Sequence, residues 1–351
     1  MKLSIIGTGS FGLALASRFK NVNITMWTKF EEEKNMLIEN RGNDKLLSGI
    51  KLNNNIEFTN DMEYCLFNSD FIVIAIPIEF LNDTLILLSK YYKRQNILVA
   101  TKGIEKENSM FTYEIIQKHL NTDKIGILSG PTFAIDLANN NPVGFVVATK
   151  YKEIFDTTKY LFDGSVSFMY LDDIIGTEIC GTIKNIIAIG SGVLYGMGYS
   201  NSAVATYITK AINDIKSIIM SLGGDSKTVL SYAGIGDIIL TCTSNKSRNY
   251  SFGKMIGEKQ EDKVINEYIS KINITLPFLI ILSIILLPII VLVALCYTGV
   301  YYHLWYFPAI IFSLIVLKKW KQKFNIKYLL IISFILLLFG ATETYYGVLP
   351  L

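Results

Sequence analysis

Few side chains in this sequence suit chemistry, and most of those are cations. Lys102 follows an apolar run in ILVATKG, so it falls at the carboxyl end of an expected strand, as either a ligand contact or an ordinary loop charge. Lys184 sits among Ile179, Ile183, Ile186 and Ile187 in a helical pattern. An ammonium there is costly to desolvate, and burial moves its pKa down toward a proton-transfer range; the other reading is a lysine snorkelling from the helix edge. Arg248 offers a planar fork of donors suited to a phosphate, and Ser247 and Asn249 add hydrogen bonds beside it. Asp237, in AGIGD, can orient an ammonium or a hydroxyl. Taken singly, Asp237 reads more readily as a helix-capping or surface acid and Arg248 as a surface charge. Asn185 and Thr241 can likewise cap or back-bond helices, while Gly130, Thr132 and Ser247 suit turns.

A second group of residues suits phosphate binding through the backbone. Gly7, Gly9 and Gly12 form G-x-G-x-x-G between a short apolar run, KLSII, and a helical one, FGLALASRF. The first glycine makes a tight turn, the second lets a pyrophosphate approach, and the third lets helix and strand pack closely. KLSII is too short for a signal peptide. The next expected strand, NVNITMWT, ends in Trp27, Thr28 and Lys29 rather than in the acid that grips ribose hydroxyls. Lys29 is placed either to meet the 2′-phosphate of NADP or to sit solvated at the surface.

These residues need a scaffold. Apolar runs at 71–77, 97–103, 124–131 and 144–150 alternate with helical stretches, the pattern of a doubly wound parallel sheet whose ligands bind beyond the strands' carboxyl ends. Pro77, Lys102, and Gly130 with Pro131 all fall there. After about residue 170 the pattern is helical: IIGTEICGTIKNIIAIGSGVLYG, NSAVATYITKAINDIKSIIMSLGG and SKTVLSYAGIGDIILTCTS. If such a chain moves a hydride to or from an alcohol carbon, the hydroxyl proton needs a carrier. The two histidines, His119 on an expected helix and His303 in an apolar tail, are poorly placed. Cys65, Cys180, Cys242 and Cys296 contain no CxxC pair, which argues against a zinc site or a disulfide framework and for reduced thiols. Lysine remains. A net charge of +3 with no basic, aromatic-interleaved stripe gives no reason to expect nucleic acid.

In order along the chain, GTGSFG, ATKG, SGPTFA, GTIKNIIAIGSG, AGIGDIILTCTS and NKSRNYSFGKMIG resemble the successive signature blocks of the NAD(P)-dependent glycerol-3-phosphate dehydrogenases, from residue 1 to about 257. The resemblance implies a Rossmann-like α/β domain over 1–165 and an all-α substrate domain over 166–272. It also implies reversible reduction of dihydroxyacetone phosphate to sn-glycerol 3-phosphate with NADP or NAD, and Lys29 in place of an acid slightly favours NADP. By that resemblance Lys184 is the proton acceptor, Lys102 and Asn185 place substrate and cofactor, and Asp237 and Thr241 complete the catalytic pocket. Gly130, Thr132, Ser247, Arg248 and Asn249 line the substrate region. The cofactor is expected on Gly7, Gly9, Ser10, Phe11, Gly12, Lys29, Lys102, Ala134 and Arg248. A homodimer is compatible with the resemblance, and a related hydroxy-acid dehydrogenase is the nearest alternative within catalysis.

The tail departs from that family near Glu258, which shortens the helical domain. Apolar residues make up 51% of the chain, and no Asp, Glu, Lys or Arg occurs between Ile272 and Leu317. Residues 274–297, 297–317 and 328–348 each suffice to cross about 30 Å of hydrocarbon as a helix. Pro277, Pro288 and Pro308 are tolerable where neighbouring helices satisfy the freed backbone. Lys318, Lys319, Lys321, Lys323 and Lys327 cluster between the second and third spans, which sets that loop, and so residues 1–270, on the cytoplasmic side. Segment 273–351 is thus expected to be a membrane anchor, with lipid as a partner and phospholipid synthesis as the destination of the product. Two other classes stay open: a catalytically impaired, membrane-tethered NADPH or triose-phosphate binding protein, and a membrane protein with a vestigial soluble head. With Glu343 the one carboxylate in the spans, an intramembrane active site has little support.

Overall fold

The computed structural model describes residues 1–106 and 108–261, together with 264, 267 and 268. The three expected membrane spans lie outside the described residues. Among the described residues eight strands, β1 (Lys2–Ile6), β2 (Asn23–Trp27), β3 (Ile56–Thr59), β4 (Phe71–Ile74), β5 (Asn96–Val99), β6 (Ile125–Ser129), β7 (Val143–Thr149) and β8 (Val166–Leu171), form one sheet in the order β3-β2-β1-β4-β5-β6-β7-β8. The alternation of side chains along a strand explains why these runs are apolar throughout. Leu3 and Ile5 of β1 enter one core, on one face, and Ile6 enters the other. In β4, Phe71 and Val73 join the first core while Ile72 and Ile74 join the second. The connecting helices are α1 (Ser10–Arg18), α2 (Glu31–Asn40), α3 (Met62–Leu66), α4 (Leu81–Ser89), α5 (Thr112–Leu120), α6 (Ala134–Ala138) and α7 (Lys152–Leu161).

The sheet is not wholly parallel, which corrects the sequence expectation. β7 runs antiparallel to β6, with Gly126 opposite Thr149 and Ser129 opposite Val146, and β8 is parallel to β7. A doubly buried strand reads as a continuous apolar run in either direction, so GFVVAT carried no sign of its orientation. β8 was missed as a strand because it lies at the sheet edge and only Val166 of its six residues is buried. It carries the sheet to Leu171, past the expected boundary at 165.

The helical part consists of α8 (Ile174–Gly196), α9 (Asn201–Ser221), α10 (Asp237–Cys242) and α11 (Arg248–Gly257). α8 is apolar and long enough to cross a bilayer by length and composition, yet it is a core helix, largely buried against its neighbours. Asp173 caps it, accepting from Gly176 N at 2.9 Å, and its other oxygen accepts from Asp225 N and Thr228 Oγ1 at 2.9 and 2.6 Å. α11 lies backbone to backbone on α8. A Cβ on Gly192 would stand 2.1 Å from the Tyr250 carbonyl oxygen, and one on Gly253 would stand 2.0 Å from that of Ile189. The expected third helix is broken: Ser226–Leu230 is a 3-10 turn, Tyr232–Gly236 a π turn, and only then does α10 begin. Gly234 permits this compaction, since a Cβ there would lie 2.1 Å from the Val229 carbonyl oxygen.

Candidate active site

The glycine motif separates into two kinds of glycine. Gly7 has φ +116°, and a Cβ on it would stand 2.5 Å from the Ala75 carbonyl oxygen; one on Gly12 would stand 2.4 Å from the Gly7 carbonyl oxygen. The chain itself therefore demands both. Around Gly9 a Cβ would meet nothing within 4 Å. α1 starts there without a side-chain cap, so its first amides face outward. An open glycine before uncapped amides fits a phosphate-bearing cofactor. Ser10 is half-buried at this turn, and the Phe11 ring packs edge-on against Phe145 with centroids 6.3 Å apart. Ala134 opens α6 and packs on the same core. Lys29 is exposed just beyond β2, where it makes no hydrogen bond or ion pair among the described residues. Thr28 beside it donates to Glu33 of α2.

The chemistry-bearing lysines meet on one carboxylate. Lys102 arrives from beyond β5, Lys184 from α8, and Asp237 from the first residue of α10. Asp237 Oδ2 accepts from Lys184 Nζ at 2.6 Å and from Lys102 Nζ at 2.9 Å. The side chains are 13% exposed for Lys184, 26% for Lys102 and 2% for Asp237. Burial pulls the Lys184 ammonium down to about 8; Asp237 opposes that shift and Lys102 adds to it. Burial by itself would raise the Asp237 carboxyl, but the two ammonium groups outweigh it and hold the group below the usual carboxylate range. Thr241 is back-bonded to the Asp237 carbonyl at 2.6 Å, with its hydroxyl 3.4 Å from Oδ1. The lysine of the aliphatic helix is thus buried and paired, not snorkelling.

The remaining predicted residues divide. Asn185, beside Lys184, accepts from Asn249 Nδ2 at 2.8 Å, which brings the start of α11 to the cluster. Ser247 caps α11, accepting from Tyr250 N at 3.2 Å, and Arg248 is exposed with no ion pair among the described residues. Gly130 is fixed by backbone crowding, since a Cβ would lie 2.2 Å from the Gly144 carbonyl oxygen; Thr132 Oγ1 donates to that same oxygen at 3.4 Å. His119 pairs with Asn82 of α4 at 2.9 Å rather than with the lysines.

Sequence reasoning missed Glu178 and Ser129. Glu178, on α8, is buried, and its Oε1 accepts from Thr112 Oγ1 and from Tyr113 N at the start of α5. Burial pushes its carboxyl up to about 7. Ser129 Oγ is buried with no partner among the described residues. Both line a small cavity with Lys102, Thr101, Thr177 and Gly181. The available signal for Glu178 was the one that singled out Lys184: a charge in an isoleucine-rich helix.

Comparison with known proteins follows the same division of the chain. Residues 2–155 match the family model described as NAD-dependent glycerol-3-phosphate dehydrogenase N-terminus, and residues 173–276 match its C-terminus counterpart. The second match runs past residue 257, where the resemblance was expected to stop. A Macrococcus caseolyticus protein named glycerol-3-phosphate dehydrogenase (NAD(P)+) is 32% identical over 265 residues, covering 74% of this chain and 80% of its own. The glycosomal NAD(+) glycerol-3-phosphate dehydrogenase of Leishmania mexicana is 35% identical over 273 residues, 73% of each chain. The crystal structure of glycerol-3-phosphate dehydrogenase from Coxiella burnetii superposes with a TM-score of 0.72 at 27% identity, covering 76% of this chain and 83% of that one.

Proposed function

We infer the function from the premise that the chain belongs to the NAD-dependent glycerol-3-phosphate dehydrogenase family. It is an oxidoreductase for dihydroxyacetone phosphate and glycerol 3-phosphate, working with NADP or NAD. The observation that carries the residue assignment is the Lys102–Asp237–Lys184 cluster at the carboxyl ends of the strands. Bound NAD(P)H supplies the hydride that adds to the carbonyl carbon. Lys184 gives its proton to the carbonyl oxygen as charge develops there, and takes it back in the oxidative direction. Its lowered pKa suits a group that must both hold and release a proton near neutrality. Asp237 keeps the two ammonium groups together despite their repulsion, and Lys102 presents the second positive charge to the substrate oxygen.

The phosphate end of the substrate lies toward Arg248, with Ser247, Asn249, Asn185, Thr241, Thr132 and Gly130 framing it. Gly9 and the amides of Ser10, Phe11 and Gly12 hold the cofactor's pyrophosphate, Gly7 and Ala134 shape that turn, and Lys29 meets the 2′-phosphate of NADP. Residues 274–348 anchor this part to the cytoplasmic face of a membrane, where the product feeds phospholipid synthesis; the support is the charge-free run 272–317 and the lysine cluster at 318–327. The deciding assay uses the full chain in detergent and follows oxidation of NADPH and NADH with dihydroxyacetone phosphate. Turnover is expected with both. Tight NADPH binding without turnover would instead identify a catalytically impaired binding protein.

A further inference from the structure

Glu178 lines the same small cavity as Lys102 yet has no part in the proposed mechanism, and the backbone it bonds is reached from Lys102 along one short loop. Lys102 lies in the loop from β5 to α5, residues 100–111. Its near arm is fixed by Thr101 Oγ1, which donates to the Ile76 carbonyl at 2.7 Å. Gly103, φ +127°, then turns the chain, and the loop folds back so that Ile104 bridges Phe111 and Glu105 N donates to the Met110 carbonyl at 2.9 Å. Phe111 is followed at once by Thr112 and Tyr113, the two residues that donate to Glu178 Oε1. Across the loop, the Lys102 stem lies over Gly181, where a Cβ would stand 3.4 Å from Lys102 Cδ.

We propose that Glu178 is a positioning residue for Lys102: by gripping the far arm of the Lys102 loop, it references that lysine to α8, the helix that also carries Lys184. Both ammonium groups then take their places on Asp237 from a single rigid element. The grip costs the fold a buried carboxyl, a cost that an apolar side chain at 178 would avoid. Glu178 is also one of the residues that line the small cavity beside Lys102. The proposal rests on the dehydrogenase reading only in naming Lys102 a substrate-facing group. A readout independent of turnover therefore accompanies the kinetics.

The experiment compares Glu178→Ala, Glu178→Gln and Thr112→Val in the full chain, each alone and with Lys102→Met. Glu178→Ala is expected to lower kcat about tenfold or more and to raise the dihydroxyacetone phosphate KM, because small misplacements of a reacting group are expensive. The cofactor KM should stay where it was. Glu178→Gln, which keeps the accepting oxygen, should restore most of the activity, and Thr112→Val should fall between. In the Lys102→Met background, Glu178→Ala should cost nothing further, as expected of residues acting as one unit. Acetic anhydride labelling read by mass spectrometry should show Lys102 more reactive in Glu178→Ala than in the parent, with exposed lysines unchanged; this result stands whether or not the parent turns over. Should Glu178→Ala fail to fold, Thr112→Val carries both readouts. Equal losses from the position-178 change with and without Lys102, or unchanged Lys102 labelling in the variants, would overturn the proposal.

Discussion

At the scale of single residues, the cluster's value lies in how three charges share one buried space. Lys184 titrates at about 8 because burial disfavours its ammonium, with Asp237 opposing and Lys102 adding to the shift. In the proposed mechanism reduction requires the charged form, so its rate should fall as pH rises through about 8, while oxidation of glycerol 3-phosphate should rise through the same range. Asp237→Asn removes the opposing charge, so both limbs should move to lower pH; a pH–rate profile unmoved by that change would separate Asp237 from the proton step. Lys184→Met should cost about 10² or more in kcat, the usual scale for losing a general acid, with cofactor affinity kept. Glu178 adds a stability signature from a shift of the same origin, burial, and opposite direction. Its folded pKa is raised from 4.5 to about 7, so its favourable contribution is complete below about 4.5 and is lost as pH rises through about 7. Thermal melts of Glu178→Gln should therefore lack part of the decline that the parent shows across that window.

At the scale of elements, the strand–turn–helix at the N-terminus yields a contrast between neighbouring glycines. Gly12→Ala forces a methyl to 2.4 Å from the Gly7 carbonyl oxygen and should destabilise by about 1–3 kcal/mol, the range for overpacking. Gly9→Ala has open space and an extended backbone, φ −65° and ψ 171°, so melting should be unchanged while the cofactor KM rises. Equal melting temperatures for the two variants would contradict the division of labour. Much of this level was legible in the sequence. The 3.6-residue pattern located α8 and α9, and the apolar runs located β1, β2, β4, β5, β6 and β7, because burial on two faces leaves a dense local record. β3 and β8 were not legible: they are the two edge strands, and exposed residues interrupt the apolar run in each. The break before α10 was hidden because two glycines in AGIG do not by themselves say whether a helix bends or stops. At the site, each of Lys102, Lys184 and Asp237 carried its own signal. Their meeting on one carboxylate oxygen carried none, since residues separated by 135 and 53 positions meet only through the fold.

At the scale of the whole molecule, the apolar C-terminal stretch predicts behaviour rather than geometry. If the proposed anchor holds, the intact chain should stay in the membrane fraction through high-salt and alkaline washes, because apolar spans would not depend on screened charge. Recovery as a soluble, folded species without detergent would remove the anchor. The sheet has a whole-molecule consequence of its own. β7 runs away from the site and β8 follows it, so the chain reaches Leu171 at the edge of the sheet opposite the strands' carboxyl ends. α8 begins there and must climb back before it can reach them. Lys184 lies ten residues beyond the first residue of α8, Ile174, a rise of about 15 Å, and five-residue β6 spans about 16 Å. The lengths match, and Gly181 passes Ser129 at the top of β6, where a Cβ would stand 3.7 Å from the hydroxyl. The helix is a ruler laid against the sheet with the ammonium at its mark. One residue inserted between Asp173 and Lys184 would swing that mark by about 100°, so the strand that runs against β6 also sets the length at which a helix starting far from the chemistry arrives in register with it.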